Sequence, residues 1–362
     1  MTNDRRLRLR DLGIAPGQFE TGLLNAITDV DGVTVGHVNC HEGTRTRTGA
    51  TAILPHGGNL FQDKVPAALA IFNGFGKFAG VSQIAELGEI ETPILLTNTL
   101  AVGRGIEALN LYTLAQPGNE TVVSLNAVVG ETNDSRLNDI RAARPSVDEM
   151  LGALSSATSG PVAEGAVGAG SGTVAFGLKG GIGTSSRNVP VSGETYTLGV
   201  LVQSNYGGTL TIDGMPYRPD DAGSEKYDTS KHDKDGSIVM IVATDAPLCS
   251  RNLKRLAERC FGGLARTGAA LSNGSGDYAL AFSTHERVRR TPERRSAVCD
   301  YPVLSNDVVS PLFEAVIEAT EEAIINSMTM ATTTHGYNAG TGRNQTVDAI
   351  SIDAISRLAN RR

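Results

Sequence analysis

Apolar runs of strand length recur along the chain at residues 51–54, 68–72, 94–97, 122–129, 196–202, 237–243 and 278–282. Several are rich in β-branched residues and stop at Gly, Asn or Pro, as strands do. Between them the apolar spacing becomes helical. Val147, Met150, Leu151 and Leu154 form one stripe after Pro145; Leu312, Val316, Ala319, Ala323 and Ile324 form another. The most regular stripe predicts a helix over 251–265. There Leu253, Leu256, Ala257, Cys260, Phe261 and Leu264 share one face, with Arg251, Lys254, Arg255 and Glu258 on the wet side. Strands and helices interleave without a strict repeat and no linker divides them, so a layered α/β (α+β) sandwich in a single domain, 1–362, is expected.

Glycine changes this picture locally. There are 42 glycines lying between strand-like runs, which points to tight turns and close backbone approaches. Residues 165–183 read GAVGAGSGTVAFGLKGGIG. A dinucleotide loop must follow a strand and open a helix. Here 173–178 alternates like a strand and Gly180-Gly181 reads as a hairpin turn, so nucleotide binding is rejected. Residues 213–235 are rich in Asp, Lys, Gly, Ser and Pro and read as a solvated loop, with a lid over a site as the alternative.

The net charge of −7 argues against a nucleic-acid partner, and acidic residues lie close to both short basic runs, 5–10 and 287–295. No stretch reaches the roughly 18 uninterrupted apolar residues of a membrane span. Residues 1–13 lack the apolar core of a secretory signal, and the four cysteines form no CxxC pair, so a reducing, cytoplasmic location is expected. The six histidines show no HExxH or comparable spacing, and neither metal nor other cofactor is called for.

Ser250 follows the run IVMIVATDAPLC and precedes the amphipathic helix, a strand–turn–helix junction where serine is a common N-cap. The surrounding segments carry more than that. ATDAPL before Ser250, RNLKRLAER and GLARTG after it, and GSGDYALAFST beyond resemble the β-peptidyl aminopeptidases and L-aminopeptidase D-amidase/esterases. DVDGVTVGHV at 29–38, TLAVGRG at 99–105, VVGETND at 128–134, residues 168–187 and LVQSNYG at 201–207 extend the likeness, in the same order, over about residues 10–350.

The resemblance implies an N-terminal-nucleophile-like αββα sandwich that matures by cutting itself just before a serine. On this alignment the cut falls between Cys249 and Ser250, giving chains 1–249 and 250–362. Ser250 Oγ would attack the Cys249 carbonyl, and the freed α-amine, with a pKa of about 7.7–8.0, would then serve as general base. Asn205 corresponds to the family's oxyanion asparagine, and Glu131 to the carboxylate holding the substrate's ammonium. The hydroxyl-plus-Glu pair that orients the nucleophile falls on Glu286 with Ser283 or Thr284. One departure stands out: the residue before the family's nucleophile is usually small, such as glycine, and here it is Cys249. The resemblance makes the expected substrate a small peptide, amide or ester with a free amine, β-amino-acid peptides among the candidates, and the expected assembly a homotetramer. The rivals are a self-cleaving acyltransferase of the ornithine acetyltransferase kind, which uses threonine at the cut, and an uncleaved binding protein.

Overall fold

The structure is a computed structural model and describes residues 5–218 and 236–360. Two sheets face each other. The six-stranded sheet runs in the order Gly181–Val191, Glu194–Asn205, Ser237–Thr244, Gly276–Ser283, Val65–Gly74, Glu89–Ile90. The five-stranded sheet runs Thr34–Glu42, Thr46–Leu54, Ile94–Asn98, Val128–Thr132, Phe78–Ala79. Between them lies one apolar core, built from Ile53, Ile94, Leu96 and Val128 on one side and Leu201, Val239, Ile241 and Leu280 on the other.

Each sheet also has a helical cover. Helices Ser250–Arg266 and Ser310–Thr329 pack on the outer face of the six-stranded sheet through Leu253, Leu256, Leu312 and Val316, against Val200, Met240 and Val242. Helices Val102–Leu114 and Val147–Ser155 cover the other sheet through Ala108, Leu109, Met150 and Leu154. The result is an αββα sandwich. The strand Ser237–Thr244 is buried at every position, because odd residues face the opposite sheet and even ones the helices. That double burial is why it reads as an uninterrupted apolar run.

Its pairing with Gly276–Ser283 is parallel. Parallel neighbours need a crossover, and the Ser250–Arg266 helix supplies it. The chain therefore leaves Thr244, turns, and runs back along the sheet before starting the next strand at the first strand's beginning.

Three expectations need correction or placing. Residues 122–127 are not strand; the strand is Val128–Thr132, and Val123 is almost wholly exposed, with no strand pairing it among the described residues. In the glycine-rich stretch the hairpin turns at Phe176-Gly177, both at positive φ, between Val174–Ala175 and Leu178–Lys179, while Gly181 already begins a long strand. Of the polar segment 213–235, residues 213–216 belong to a small hairpin, Thr211–Ile212 with Met215–Pro216, and 219–235 lie outside the described residues. The basic run near the N-terminus is used internally: Arg8 pairs with Glu164 at 2.8 Å and Arg10 with Glu322 at 3.0 Å.

Candidate active site

Three strand ends meet at Ser237. It opens its strand opposite Asn205, the last residue of the antiparallel neighbour, and opposite Gly276, the first residue of the parallel one. The Gly276 N–H donates to Ser237 Oγ at 3.2 Å and to the Gly236 carbonyl at 3.1 Å. A single amide thus touches both a hydroxyl and the peptide carbonyl just before it. Gly236 is pressed against its neighbours: a Cβ there would sit 2.3 Å from the Asn205 carbonyl oxygen and 2.5 Å from Tyr206 Cα. Only glycine avoids that collision.

Around this centre the polar groups are specific. The Ser275 hydroxyl donates to Asp277 Oδ1, while Asp277 Oδ2 is buried without a partner among the described residues. Burial pushes the Asp277 carboxyl up to about 6, with the Ser275 hydrogen bond pulling the other way. Asn205 Oδ1 accepts from the Val174 N–H at 2.9 Å, and its Nδ2 donates to the Asn133 carbonyl at 3.0 Å. One Nδ2 hydrogen remains uncommitted.

Glu131, from the opposing sheet, is buried; Oε1 accepts from the Lys77 N–H at 2.9 Å and Oε2 from the Thr99 hydroxyl. Glu131 Oε1 and the Tyr278 hydroxyl both flank Gly76, each 3.2 Å from where a side chain at that residue would begin, and Tyr278 also lies beside Gly276. Burial raises the Tyr278 pKa, and the Glu131 charge adds to it. A cavity of about 390 Å³ opens here, lined by Ile71, Phe78, Val81, Val102 and Tyr278 among others. A hydroxyl with an amide donor and a buried carboxylate beside an apolar cavity suit acyl transfer from an amine-bearing substrate.

The Ser250 constellation is not assembled. Ser250 lies beyond the far end of the same strand, and the strand's eight residues span about 23 Å at roughly 3.3 Å per residue. It occupies the first turn of its helix, and the N-cap position belongs to Cys249. The Cys249 carbonyl is already the helix's first acceptor, bonded to the Leu253 N–H at 2.9 Å. Ser283 Oγ donates to the Ala246 carbonyl at 2.7 Å, and the Thr284 N–H to the Thr244 carbonyl at 2.8 Å. Glu286 is exposed and makes no hydrogen bond to Ser283 or Thr284 among the described residues. Thr284 and Glu286 instead line a separate cavity of about 460 Å³ with Asp31, Asp245 and His285. So Asn205 and Glu131 stand at one end of the sandwich, and Ser250, Cys249, Ser283, Thr284 and Glu286 at the other.

The residues that sequence reasoning passed over are Ser237, Ser275, Gly276 and Asp277. Their signal was present: Gly-Ser at the start of a fully apolar strand after a long polar segment, and Ser-Gly-Asp at the start of the next.

Comparison with known proteins agrees with the architecture. The model of peptidase family S58 matches residues 25–341. The chain belongs to this family. It is a hydrolase of the aminopeptidase class with an N-terminal-nucleophile-type fold. The Beta-peptidyl aminopeptidase BapA of Sphingosinicella microcystinivorans is 39% identical over 354 residues, covering 91% of this chain and 87% of that one. The crystal structure of the PH0078 protein from Pyrococcus horikoshii OT3 superposes with a TM-score of 0.88 at 43% identity, covering 98% of this chain and 99% of that one. The L-aminopeptidase D-Ala-esterase/amidase from Ochrobactrum anthropi, a prototype serine aminopeptidase with a variant Ntn hydrolase fold, gives 0.85 at 35% identity, with 98% of each chain covered. Among the described residues this family member has no cluster of His, Cys, Asp and Glu able to hold a metal ion and no helix long and apolar enough to cross a membrane.

Proposed function

We propose that this peptidase cuts its own chain between Gly236 and Ser237 and then uses Ser237 as the N-terminal nucleophile of a serine aminopeptidase and amidase. The observation that carries the reading is the Gly276 N–H, which bonds at once to Ser237 Oγ and to the Gly236 carbonyl. In the first reaction Ser237 Oγ attacks the Gly236 carbonyl carbon, and the Gly276 N–H is positioned to receive the developing oxyanion. The C–N bond breaks with its nitrogen taking up a proton, leaving an ester that water hydrolyses. The freed α-amine of Ser237 then serves as the base for its own hydroxyl, since an ordinary α-amine has a pKa of about 7.7–8.0. The small residue before the nucleophile, expected for the family and missing at Cys249, is present as Gly236.

In substrate turnover Asn205 adds its remaining N–H to the oxyanion site, and Glu131 holds the substrate's ammonium beside the apolar cavity. Asp277, tied to Ser275, flanks Gly276 and keeps its amide directed at Ser237. The substrates are small peptides, amides or esters with a free amine. The names of the relatives, one a β-peptidyl aminopeptidase and one an L-aminopeptidase D-Ala-esterase/amidase, extend that range to β-amino-acid peptides.

Intact mass and N-terminal sequencing of the purified protein test the proposal. Scaling 37.9 kDa by length, the cut yields fragments of about 25 and 13 kDa, the smaller beginning Ser-Ile-Val-Met. Ser237→Ala should remain whole, while Ser250→Ala should split as the wild type does. A fragment beginning Ser-Arg-Asn-Leu, or an unsplit but active chain, would overturn it.

A further inference from the structure

The glycine-rich stretch 165–183, which binds no nucleotide in the reading above, encloses a lysine. Lys179 is fully buried, and its Nζ lies 2.8 Å from the Gly170 carbonyl, 3.0 Å from that of Thr173 and 2.9 Å from that of Gly180. No carboxylate lies within ion-pair distance of it among the described residues. An ammonium has three N–H donors and a neutral amine two, so the cage with its three acceptors fits the charged form. Burial lowers the Lys179 pKa to about 7, with the nearby Asp134 charge working in the opposite direction. The three carbonyls are the nearest compensation for that lost solvation.

One of these contacts leads to the active site. The Thr173 carbonyl and the Val174 N–H belong to the same peptide plane. At its oxygen end that plane accepts from Lys179 and, at 3.1 Å, from the Gly180 N–H; at its nitrogen end it donates to Asn205 Oδ1 at 2.9 Å. The side-chain amide of asparagine can sit either way round, and only one orientation turns Nδ2 toward Asn133 and leaves an N–H to offer a substrate. Holding the Thr173–Val174 plane therefore decides which atom of Asn205 acts. A cation on the carbonyl also polarises the peptide, strengthening its N–H as a donor.

We infer that Lys179 is a positioning residue for catalysis: through the Thr173–Val174 peptide it locks Asn205 with its N–H toward the reacting carbonyl. The inference rests on the proposed role of Asn205. It gives the GAGSGTVAFGLKG sequence a purpose that no phosphate supplies: a ring of carbonyls around one internal cation.

A kinetic double-mutant cycle with Lys179→Met and Asn205→Ala tests it, with kcat counted per processed chain by intact mass. Lys179→Met should lower kcat about tenfold or more with KM little changed, as expected when an oxyanion donor is misdirected. In the Asn205→Ala background the same change should cost less than about threefold, because the group it acts through is gone. Equal losses in both backgrounds, or no loss in either, would overturn the inference while leaving the role of Asn205 intact. If Asn205→Ala alone keeps its kcat, the proposed role of Asn205 falls and this inference falls with it. Should Lys179→Met fail to fold, Lys179→Ala, which removes every side-chain donor to Thr173 and leaves room for water on the freed carbonyls, carries the same cycle with the same criteria.

Discussion

Replacing Glu131 by glutamine removes a charge and little else, and the structure sets the size of the effect. The carboxylate is 2% exposed and accepts one bond at each oxygen, from the Lys77 N–H and the Thr99 hydroxyl. Each carboxylate oxygen has two acceptor sites, so a substrate ammonium can still be bound. Glutamine can keep Oε1 on the Lys77 N–H, and the Thr99 hydroxyl can rotate to accept from Nε2, so the fold should be preserved. What disappears is a charge-assisted hydrogen bond, worth about 1.5–3 kcal/mol. At about 1.4 kcal/mol per factor of ten, kcat/KM on a free-amine amide should fall roughly ten- to hundredfold. The assay compares an amino-acid amide with its N-acetyl twin for both enzymes. Wild type should turn over the free amine and hardly touch the acetylated form, and Glu131→Gln should narrow that gap by losing the first activity. Steric exclusion alone predicts that the variant keeps its free-amine activity. Retention within about threefold would refute the electrostatic argument, and equal cleavage of both substrates by wild type would refute the assigned specificity.

Three further outcomes are expected. Gly236→Ala should fold but fail to split, since its Cβ would begin 2.3 Å from the Asn205 carbonyl and drive the Gly236 carbonyl off the Gly276 N–H; normal splitting on a denaturing gel would contradict this. Asn205→Ala, measured on processed material, should lose about 10²–10³ in kcat, and a near-normal kcat would remove it from the oxyanion site. Burial lowers the His37 pKa to about 4. The unfolded chain therefore binds a proton there that the folded one refuses, and this stability is fully present above about 6.5 and lost as pH falls toward 4. In the unsplit Ser237→Ala protein, adding His37→Asn should flatten the melting temperature between pH 6.5 and 4, worth about 3 kcal/mol at most by linkage; parallel pH curves for the two proteins would count against it.

Much of the fold was legible along the chain because its determinants are local. The stripe of Leu253, Leu256, Ala257, Cys260 and Leu264 repeats at the helical period and becomes the buried face of the Ser250–Arg266 helix. The run 238–243 has no polar face, and it becomes a strand covered on both sides. Where local signals were ambiguous the reading slipped. Residues 122–127 have strand composition but no strand pairing among the described residues, and Gly180-Gly181 looks as good a turn as Phe176-Gly177 until the pairing of Val174–Ala175 with Leu178–Lys179 is known.

The sequence by itself determined the family, the class of chemistry and the place of Asn205 and Glu131 in the segments that carry the resemblance. It pointed to Ser250 as the nucleophile and did not single out Ser237, at the opposite end of the same strand. Telling the two ends of that strand apart requires knowing which of them meets Asn205, and sequence distance is silent on this: Ser250 is closer to Ser283 and Glu286 along the chain, yet Ser237 is joined to Gly276 through a single hydrogen bond. Strand register decides which end that is. An antiparallel neighbour puts its last residue beside Ser237, and a parallel neighbour puts its first there. Reaching that first residue takes a helix running back the length of the sheet, so groups 32 and 39 residues from Ser237 meet it at one edge, while Ser250, thirteen residues away, is carried to the other.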